Sequence, residues 1–450
     1  MKRVFTFLLL TIPVAAAVPV CNVRDFGAAG DGKHKDTAAL QSAIDACAKQ
    51  GGGTVIVPPG RYLTGSISLK SHITFDVGPG AVLAGSEDPA DYPLRDDVWG
   101  VERKYLSSLI YADGVEDITL TGRGTIDGQG QIWWKRQWFV TPKKGTPRPS
   151  TPEDFAEAKK IANGRPQLIQ IVRSKDVVIE RLHLINAPSW TIHPLLCEFV
   201  RIDGVTIENP VPSPNTDGIN PESSRNVQIM NSRIDVGDDC VTLKSGRDEP
   251  GRKMGKPDEN ITITNCVMLK GHGGVTIGSE MSGGVRNVVV TNCVFQGTDI
   301  GIRIKAQRGR GNVVEGVTAS NIVMQDVRSA FTITTFYMGS DKPEDVFPVN
   351  EGTPRFRDFH FSNITARDSE TAGQVTGLKE MPIEDITFSD VHIRAKTGMT
   401  VTNAKQIVFK DVTIDTESGP AVIEKSSTDI DTTRLRTMRP HEGVALVSGR

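Results

Sequence analysis

The chain is short of several things, and each shortage excludes something. Its six cysteines form no Cys-x-x-Cys pair, which argues against a thiolate metal site. Aromatic residues make up only 6% of its 450 residues. Positive charge is not in excess, since the formal net charge is −2. Such a chain has no general counter-charge for phosphates, so nucleic acid is not an expected partner. Long apolar runs are missing too. The one apolar stretch, Phe5 to Val14, follows Lys2 and Arg3 and precedes Ala15-Ala16-Ala17. That is the layout of an export signal, and it is too short for a bilayer span of about 20 residues. Removing 1–17 leaves a net charge of about −4 and no expected membrane span. The expectation is a secreted or periplasmic protein, in which disulfides are permitted. Cys21 and Cys47 flank the first structural unit and are candidates for a bridge. Cys240, Cys266 and Cys293, spaced 26 and 27 residues apart, read as thiols stacked in a core.

What the chain has is a repeat. Two polar residues lead into an alternating apolar strand, often followed by Asn and a second strand. Glu116-Asp117-Ile118-Thr119-Leu120, Lys175-Asp176-Val177-Val178-Ile179 and Glu198-Phe199-Val200-Arg201-Ile202 are copies. So are the segments beginning at Arg225, Glu259 and Arg286, with later copies near Val317, Phe359, Ile386 and Ile407. Most intervals are 21 to 34 residues, a period that belongs to solenoids and propellers. A propeller blade needs about 40 residues and four strands, which fits worse. One unit cannot bury its apolar face alone, so successive coils must stack. The fold class expected is all-β: a single-domain right-handed parallel β-helix, a solenoid, with an N-terminal capping helix. Asp36 is placed to N-cap that helix, which covers roughly 37–49 with Leu40, Ala43, Ile44 and Cys47 on one face. Gly51-Gly52-Gly53 ends it, and Thr54 to Val57 begins the first strand. The divisions expected are a signal peptide (1–17), a cap (18–60), the solenoid domain proper (61–425) and a tail or cap (426–450). Three inserts interrupt the coils: Trp133 to Arg165, Arg247 to Asp258 and Gly339 to Pro354. Long loops on a rigid scaffold are where specificity usually resides.

Four motifs follow one another: Asn215-Thr216-Asp217, Gly237-Asp238-Asp239, Gly271-His272-Gly273 and Arg303-Ile304-Lys305. In a stack of coils, positions one coil apart lie about 4.8 Å from each other. The 22-residue interval puts Asp217 and Asp239 at equivalent places on adjacent coils. Asp238 and His272 look equivalent in the same way, as do Gly278 and Lys305. Three carboxylates, an imidazole and two cations then share one face. Gathered like charges repel and cost stability, so a purely structural reading explains them poorly. Chemically they suit cleavage of a glycosidic bond beside an anionic sugar. A carboxylic acid protonates the leaving oxygen and a carboxylate activates water. Crowding should keep one carboxyl protonated, and Asp238, between the others along the chain, is assigned the acid. Asp217 and Asp239 then hold the water, and His272 orients or tunes the acid. Arg303 and Lys305 suit a substrate carboxylate. Gly271, Gly273 and Gly274 leave room for a sugar ring near the backbone.

These motifs, read as Asn215-Thr216-Asp217, Gly237-Asp238-Asp239-Cys240, Gly271-His272-Gly273-Gly274 and Arg303-Ile304-Lys305, resemble glycoside hydrolase family 28, the polygalacturonases. The resemblance runs from about Asn22 to at least Asp415. It implies a parallel β-helix and hydrolysis of α-1,4-galacturonosyl bonds in pectin with inversion. It implies Asp238 as general acid, Asp217 and Asp239 as the base pair, and His272, Arg303 and Lys305 as site residues. Asn215 and Gly273 belong to the same motifs and join the substrate-binding set. A family Tyr beyond the Arg/Lys motif corresponds loosely to Tyr337. Lys244, one coil before that motif, is either a second carboxylate binder or a solvated strand end. Asp25-Phe26-Gly27, Trp190-Thr191-Ile192-His193-Pro194, Gly218-Ile219-Asn220-Pro221 and the segment from Gly278 to Gly284 look most like the bacterial exo-acting branch. There, inserted loops close one end of the groove, and Trp133 to Arg165 is the candidate loop here. Trp190 and His193 themselves read as core and corner residues.

The expected ligand is a pectic polysaccharide or a galacturonate oligosaccharide, with no cofactor and no metal. Oligomeric state is left open. Rival readings are a hydrolase of rhamnogalacturonan or xylogalacturonan, a Ca²⁺-dependent pectate lyase on the same fold, and a carbohydrate-binding adhesin. Ca²⁺ prefers oxygen ligands, so a His among glycines fits the lyase less well.

Overall fold

The computed structural model describes residues 18–338 and 341–437, and the backbone of 444–447. The expected signal peptide lies outside the described residues. Within them the chain winds as a right-handed parallel β-helix whose coils present three strand columns. One column runs through Ile73–Val77, Glu116–Gly122, Lys175–Glu180, Glu198–Asp203, Arg225–Met230 and Asp258–Thr264, all parallel and in register. A second runs through Thr125–Asp127, His183–Ile185, Thr206–Glu208 and Arg233–Val236. The third carries the site.

The corner before the first column explains the polar pair in each repeat. Its second residue takes a left-handed backbone: Asp117, Asp176, Asn226, Asn260, Asn287, Asp358 and Asp385 all have φ between 53° and 61°. That conformation costs most side chains about 1–2 kcal/mol and suits Asn and Asp, whose short polar groups bond locally. The amides also bond each other up the stack, Asn260 to Asn226 at 3.1 Å and Asn287 to Asn260 at 3.0 Å. Apolar residues of the alternating strands fill the lumen. Near the C-terminal end Phe331, Phe361, Phe388 and Phe409 pile up with ring centroids 5.1–5.3 Å apart.

Helix α1 (Thr37–Lys49) buries Leu40, Ala43, Ile44 and Cys47, the expected face. Asp36 does not cap it. Its carboxylate instead accepts the backbone N–H groups of Ala29 and Gly30 at 2.6 and 3.0 Å, tying the preceding loop down. Coil stacking also starts earlier than expected, because Val20–Asn22 pairs with Gly53–Val57 and Asp31–Lys35 with Gly60–Thr64. It ends later too. Thr428–Asp431, Leu435–Arg436 and Val444–Val447 all pair with the preceding coil, so winding continues into the stretch expected to be a tail. All six cysteines are buried free thiols, and no bridge joins Cys21 to Cys47. Cys266 and Cys293 stack on adjacent coils, whereas Cys240 sits on a different corner, level with Gly274.

The inserts are docked rather than loose. The first folds into α2 (Gln131–Val140) and α3 (Pro152–Lys159). Trp134 donates its indole N–H to the Ala187 carbonyl at 2.9 Å, and Trp133 is buried edge-on to Tyr92. Arg136 joins the two helices through Glu157 at 2.8 Å. The second insert forms α4 (Asp248–Met254), held by Arg310 through Asp248. A third feature, not expected from sequence, is an antiparallel pair of Leu94–Asp96 with Lys104–Leu106 beside the same face.

Candidate active site

The third column is the frame of the site. Ile110, Ile169, Ile192, Ile219, Val241, Val275 and Ile302 lie in one register, pointing inward. The next residue of each strand points out: Tyr111, Gln170, His193, Asn220, Thr242, Thr276 and Arg303. Two positions further along come Glu222, Lys244, Gly278 and Lys305. Two rows of side chains therefore floor one groove.

The expected equivalences hold. The Gly218 N–H bonds the Asp239 carbonyl and the His272 N–H bonds the Asp238 carbonyl, both at 3.0 Å. Asp217, Asp238 and Asp239 each bring an oxygen within 4.8 Å of the others. Asp239 is the most enclosed. Lys305 reaches one of its oxygens at 2.9 Å and Arg303 the other at 3.1 Å. Burial opposes its charge, but those two cations win and hold its carboxyl well below the usual range. The carboxyl pushed up is that of Asp217. Burial, and then the neighbouring Asp238, push Asp217 up to about 7. Asp238 has 16% of its side chain exposed, against 4% and 2% for the other two, and faces the cavity. His272 Nδ1 lies 3.2 Å from it, and that hydrogen bond raises the imidazole above its ordinary value. Three cations already serve the carboxylates, so a divalent ion would have to displace Lys305 and Arg303 from Asp239.

Asn215 and Tyr337 line the same cavity of about 400 Å³. The Tyr337 ring lies 4.8 Å from the Lys305 ammonium and 5.4 Å from the Arg303 guanidinium carbon, capping the cation pair. Gly273 differs from its expected use. A Cβ there would stand 2.3 Å from Thr276 Oγ1 and 2.9 Å from Asp239 Oδ1, so its bareness first makes room for the chain's own carboxylate. Lys244 is neither solvated nor free. It is 4% exposed, 3.1 Å from Glu280 and 3.9 Å from Asp217, with its ammonium over Trp190. Burial disfavours its charge, yet Glu280 and Asp217 keep the ammonium above its ordinary range; desolvation likewise opposes the Glu280 carboxylate, but Lys244 draws it down to about 2.

Four groove residues escaped the sequence reading. Trp190 and His193 face the groove instead of the core; His193 bonds buried Glu222 at 2.8 Å. Their motif was visible, but strand parity was needed to turn them outward. Glu280 is the partner of Lys244, two residues past Gly278. Arg165 had no signal at all, being one cation at the end of a basic insert. A second cavity of about 430 Å³ adjoins the first and shares Trp190, Arg247 and Glu280 with it. The antiparallel pair and the end of the first insert wall it, through Trp99, Arg103, Tyr105, Ala162 and Arg165.

Comparison with known proteins agrees with this geometry. The model of glycosyl hydrolases family 28 matches residues 47–414. A probable polygalacturonase of Vitis vinifera is 36% identical over 392 residues, covering 83% of this chain and 74% of its own length. An endo-polygalacturonase of Pectobacterium carotovorum subsp. carotovorum is 31% identical, covering 82% and 86%. The crystal structure of a hyperthermoactive exopolygalacturonase from Thermotoga maritima superposes with a TM-score of 0.78 at 33% identity, covering 89% and 93%. The chain belongs to glycosyl hydrolases family 28 and is an O-glycosyl hydrolase, which sets aside the lyase and adhesin readings.

Proposed function

We propose that this member of glycosyl hydrolases family 28 is an exported enzyme that cleaves α-1,4-galacturonosyl bonds of polygalacturonate from a chain end, with inversion. The observation that carries the reading is the meeting of Asp217, Asp238 and Asp239 within 4.8 Å, beside a cation pair capped by Tyr337. Asp238 is the general acid, because it is the most accessible of the three and faces the cavity. Its proton passes to the glycosidic oxygen as the bond to the anomeric carbon breaks. A water held by Asp217 and Asp239 adds to that carbon and gives up a proton to one of them. Arg303 and Lys305, drawn partly off Asp239, bind the substrate carboxylate.

One observation favours a second assignment. Burial, then the neighbouring Asp238, pushes Asp217 up to about 7, so it holds its proton more tightly than an ordinary carboxyl. Asp217 and Asp238 form an interacting pair, so their proton belongs to the pair and not to either residue. The Asp238 assignment requires it on Asp238 when the glycosidic oxygen arrives. Inversion meets a similar tension. Retaining enzymes set their two carboxyls about 5–5.5 Å apart and inverting ones about 6.5–9.5 Å. Those ranges separate whole carboxyl groups, whereas the 4.8 Å here spans nearest oxygens, so the choice turns on which oxygens are free. A retaining nucleophile needs an untied oxygen, and both oxygens of Asp239 are held by cations.

The chain-end mode rests on the second cavity, which is walled by inserted segments and continuous with the first. It offers the aromatic side chains of Trp99, Tyr105 and Trp190 to a sugar. Incubation with de-esterified polygalacturonate tests the whole reading. Saturated mono- or digalacturonate should appear from the outset, with the first-formed anomer inverted by NMR. Early mid-length products would reject the chain-end mode, and a retained anomer would reject inversion. No release from this polymer but release from rhamnogalacturonan or xylogalacturonan would move the substrate.

A further inference from the structure

Arg165 closes the first insert, far from the motifs in sequence, yet stands at the wall between the two cavities. It lines the end cavity and bonds the turn that supplies the other. Its guanidinium donates to the Pro188 carbonyl at 2.7 Å, to the Pro214 carbonyl at 2.6 Å and to Asn215 Oδ1 at 2.9 Å. None of these acceptors is charged. The positive charge is therefore not spent on a contacting carboxylate, and the carboxylates it acts on are Asp217 and Asp238. Burial lowers Arg165 to about 10, and those two aspartates pull it back up. Its bonds to Pro214 and Asn215 thus set a cation on the turn that carries Asp217.

We propose that Arg165 is a positioning residue of the catalytic centre, holding the Asn215-Thr216-Asp217 turn and bringing a positive charge from the inserted arm to the side of the Asp217–Asp238 pair. The inference rests on the hydrolase reading above. Other charges face the pair as well. Asp217 faces Asp239, Lys244 and Lys305, with Glu280 behind Lys244. Asp238 faces His272, beyond which stands Asp299. Asp239 has its own contacting cations, and Lys244 is shared with Glu280. Arg165 thus gives the insert a means to tune the chemistry besides shaping the groove. A merely structural arginine would hold the two carbonyls and leave the pH dependence of catalysis alone.

The test is the pH profile of kcat/KM on a galacturonate oligomer, or on whichever polymer the wild type is found to cleave. In Arg165→Gln the alkaline limb, which reports loss of the acid's proton, should move up by about half to one pH unit. The value of kcat should fall about tenfold as the Asp217 turn loosens. A folded Arg165→Gln with an unmoved limb would overturn the proposal. If that variant does not fold, Arg165→Lys keeps the charge but not the three bonds. Its limb should stay with the wild type while kcat drops, and wild-type kcat or a shifted limb would count against us. An inactive wild type would instead reject the hydrolase reading, which separates the two failures.

Discussion

Two columns of charge climb this solenoid, and they obey opposite rules. On the outer corner, Glu116, Lys175, Glu198, Arg225, Glu259, Arg286, Glu315, Arg357, Glu384 and Lys405 stand in register, one per coil. Their sign alternates without a break. Arg225 meets Glu198 at 2.8 Å, Arg286 meets Glu259 at 2.6 Å and Arg357 meets Glu315 at 2.6 Å. In the groove, the same stacking brings together three carboxylates, and burial, then the neighbouring Asp238, pushes Asp217 up to about 7. Neighbouring coils therefore offer a ready site for either cancelling or concentrating charge. The outer column cancels it and gains a little stability. The groove concentrates it and costs stability, which is the expected signature of chemistry.

The sharpest way to break the contrast is to remove one charge from each column. Asp238→Asn should lower kcat by about 10²–10⁴-fold with the fold and substrate affinity kept. The loss should shrink on a galacturonide with a good leaving group, which needs no proton. If Asp217→Asn is the variant rescued by the leaving group while Asp238→Asn is not, the acid is Asp217 and the assignments exchange. Next in size is Lys305→Ala. It should raise KM strongly on free galacturonate and less on the methyl ester, since the ester has no charge to lose. It should also destabilise the fold by about 3–5 kcal/mol, because Asp239 loses one of its two contacting cations while buried. Equal KM effects on both substrates would contradict the clamp.

How much of this was legible beforehand follows from what a sequence can encode locally. The polar pair and the alternating strand marked most coils, since a left-handed corner favours Asn or Asp and a lumen selects apolar residues. The interval of 22 residues paired Asp217 with Asp239 correctly. Burial was not legible. The crowding argument looked only at places along the chain and could not foresee that burial would push up the enclosed Asp217. Partners brought from other coils were hidden as well. Glu280 turned Lys244 from a candidate clamp into half of an ion pair, and Arg165 arrived from an insert with no local sign of its role. The alternation of sign along the outer column was written in the copies, yet it emerged only once register was known.

A smaller effect separates the columns by pH. Asp217 has a folded-state value near 7, above its unfolded value of about 3.9. Its contribution is fully present below pH 4 and is lost as pH rises through 7. Asp239, depressed by its cations, has the opposite sign and loses its contribution only in strong acid. Asp217→Asn removes the first term. The melting temperature of the variant relative to wild type should therefore climb between pH 4 and pH 8, although activity is gone. A flat difference would mean that the carboxyl is not strained in the folded state.

The least effect belongs to the outer column, and its smallness is informative. Glu259→Gln removes one member of the alternating stack, leaving Arg286 and Arg225 without that partner. Arg286 is half exposed, so the pair is worth about 0–1 kcal/mol and should weaken further in salt. Glu259→Lys is more severe, because it sets a third cation between Arg225 and Arg286 and turns an attractive run into a repulsive one. Thermal melts of both variants at low and high salt should show a larger gap between them at low salt, with kcat unchanged in either. A salt-independent gap would trace the column's alternation to packing of the long side chains and not to charge.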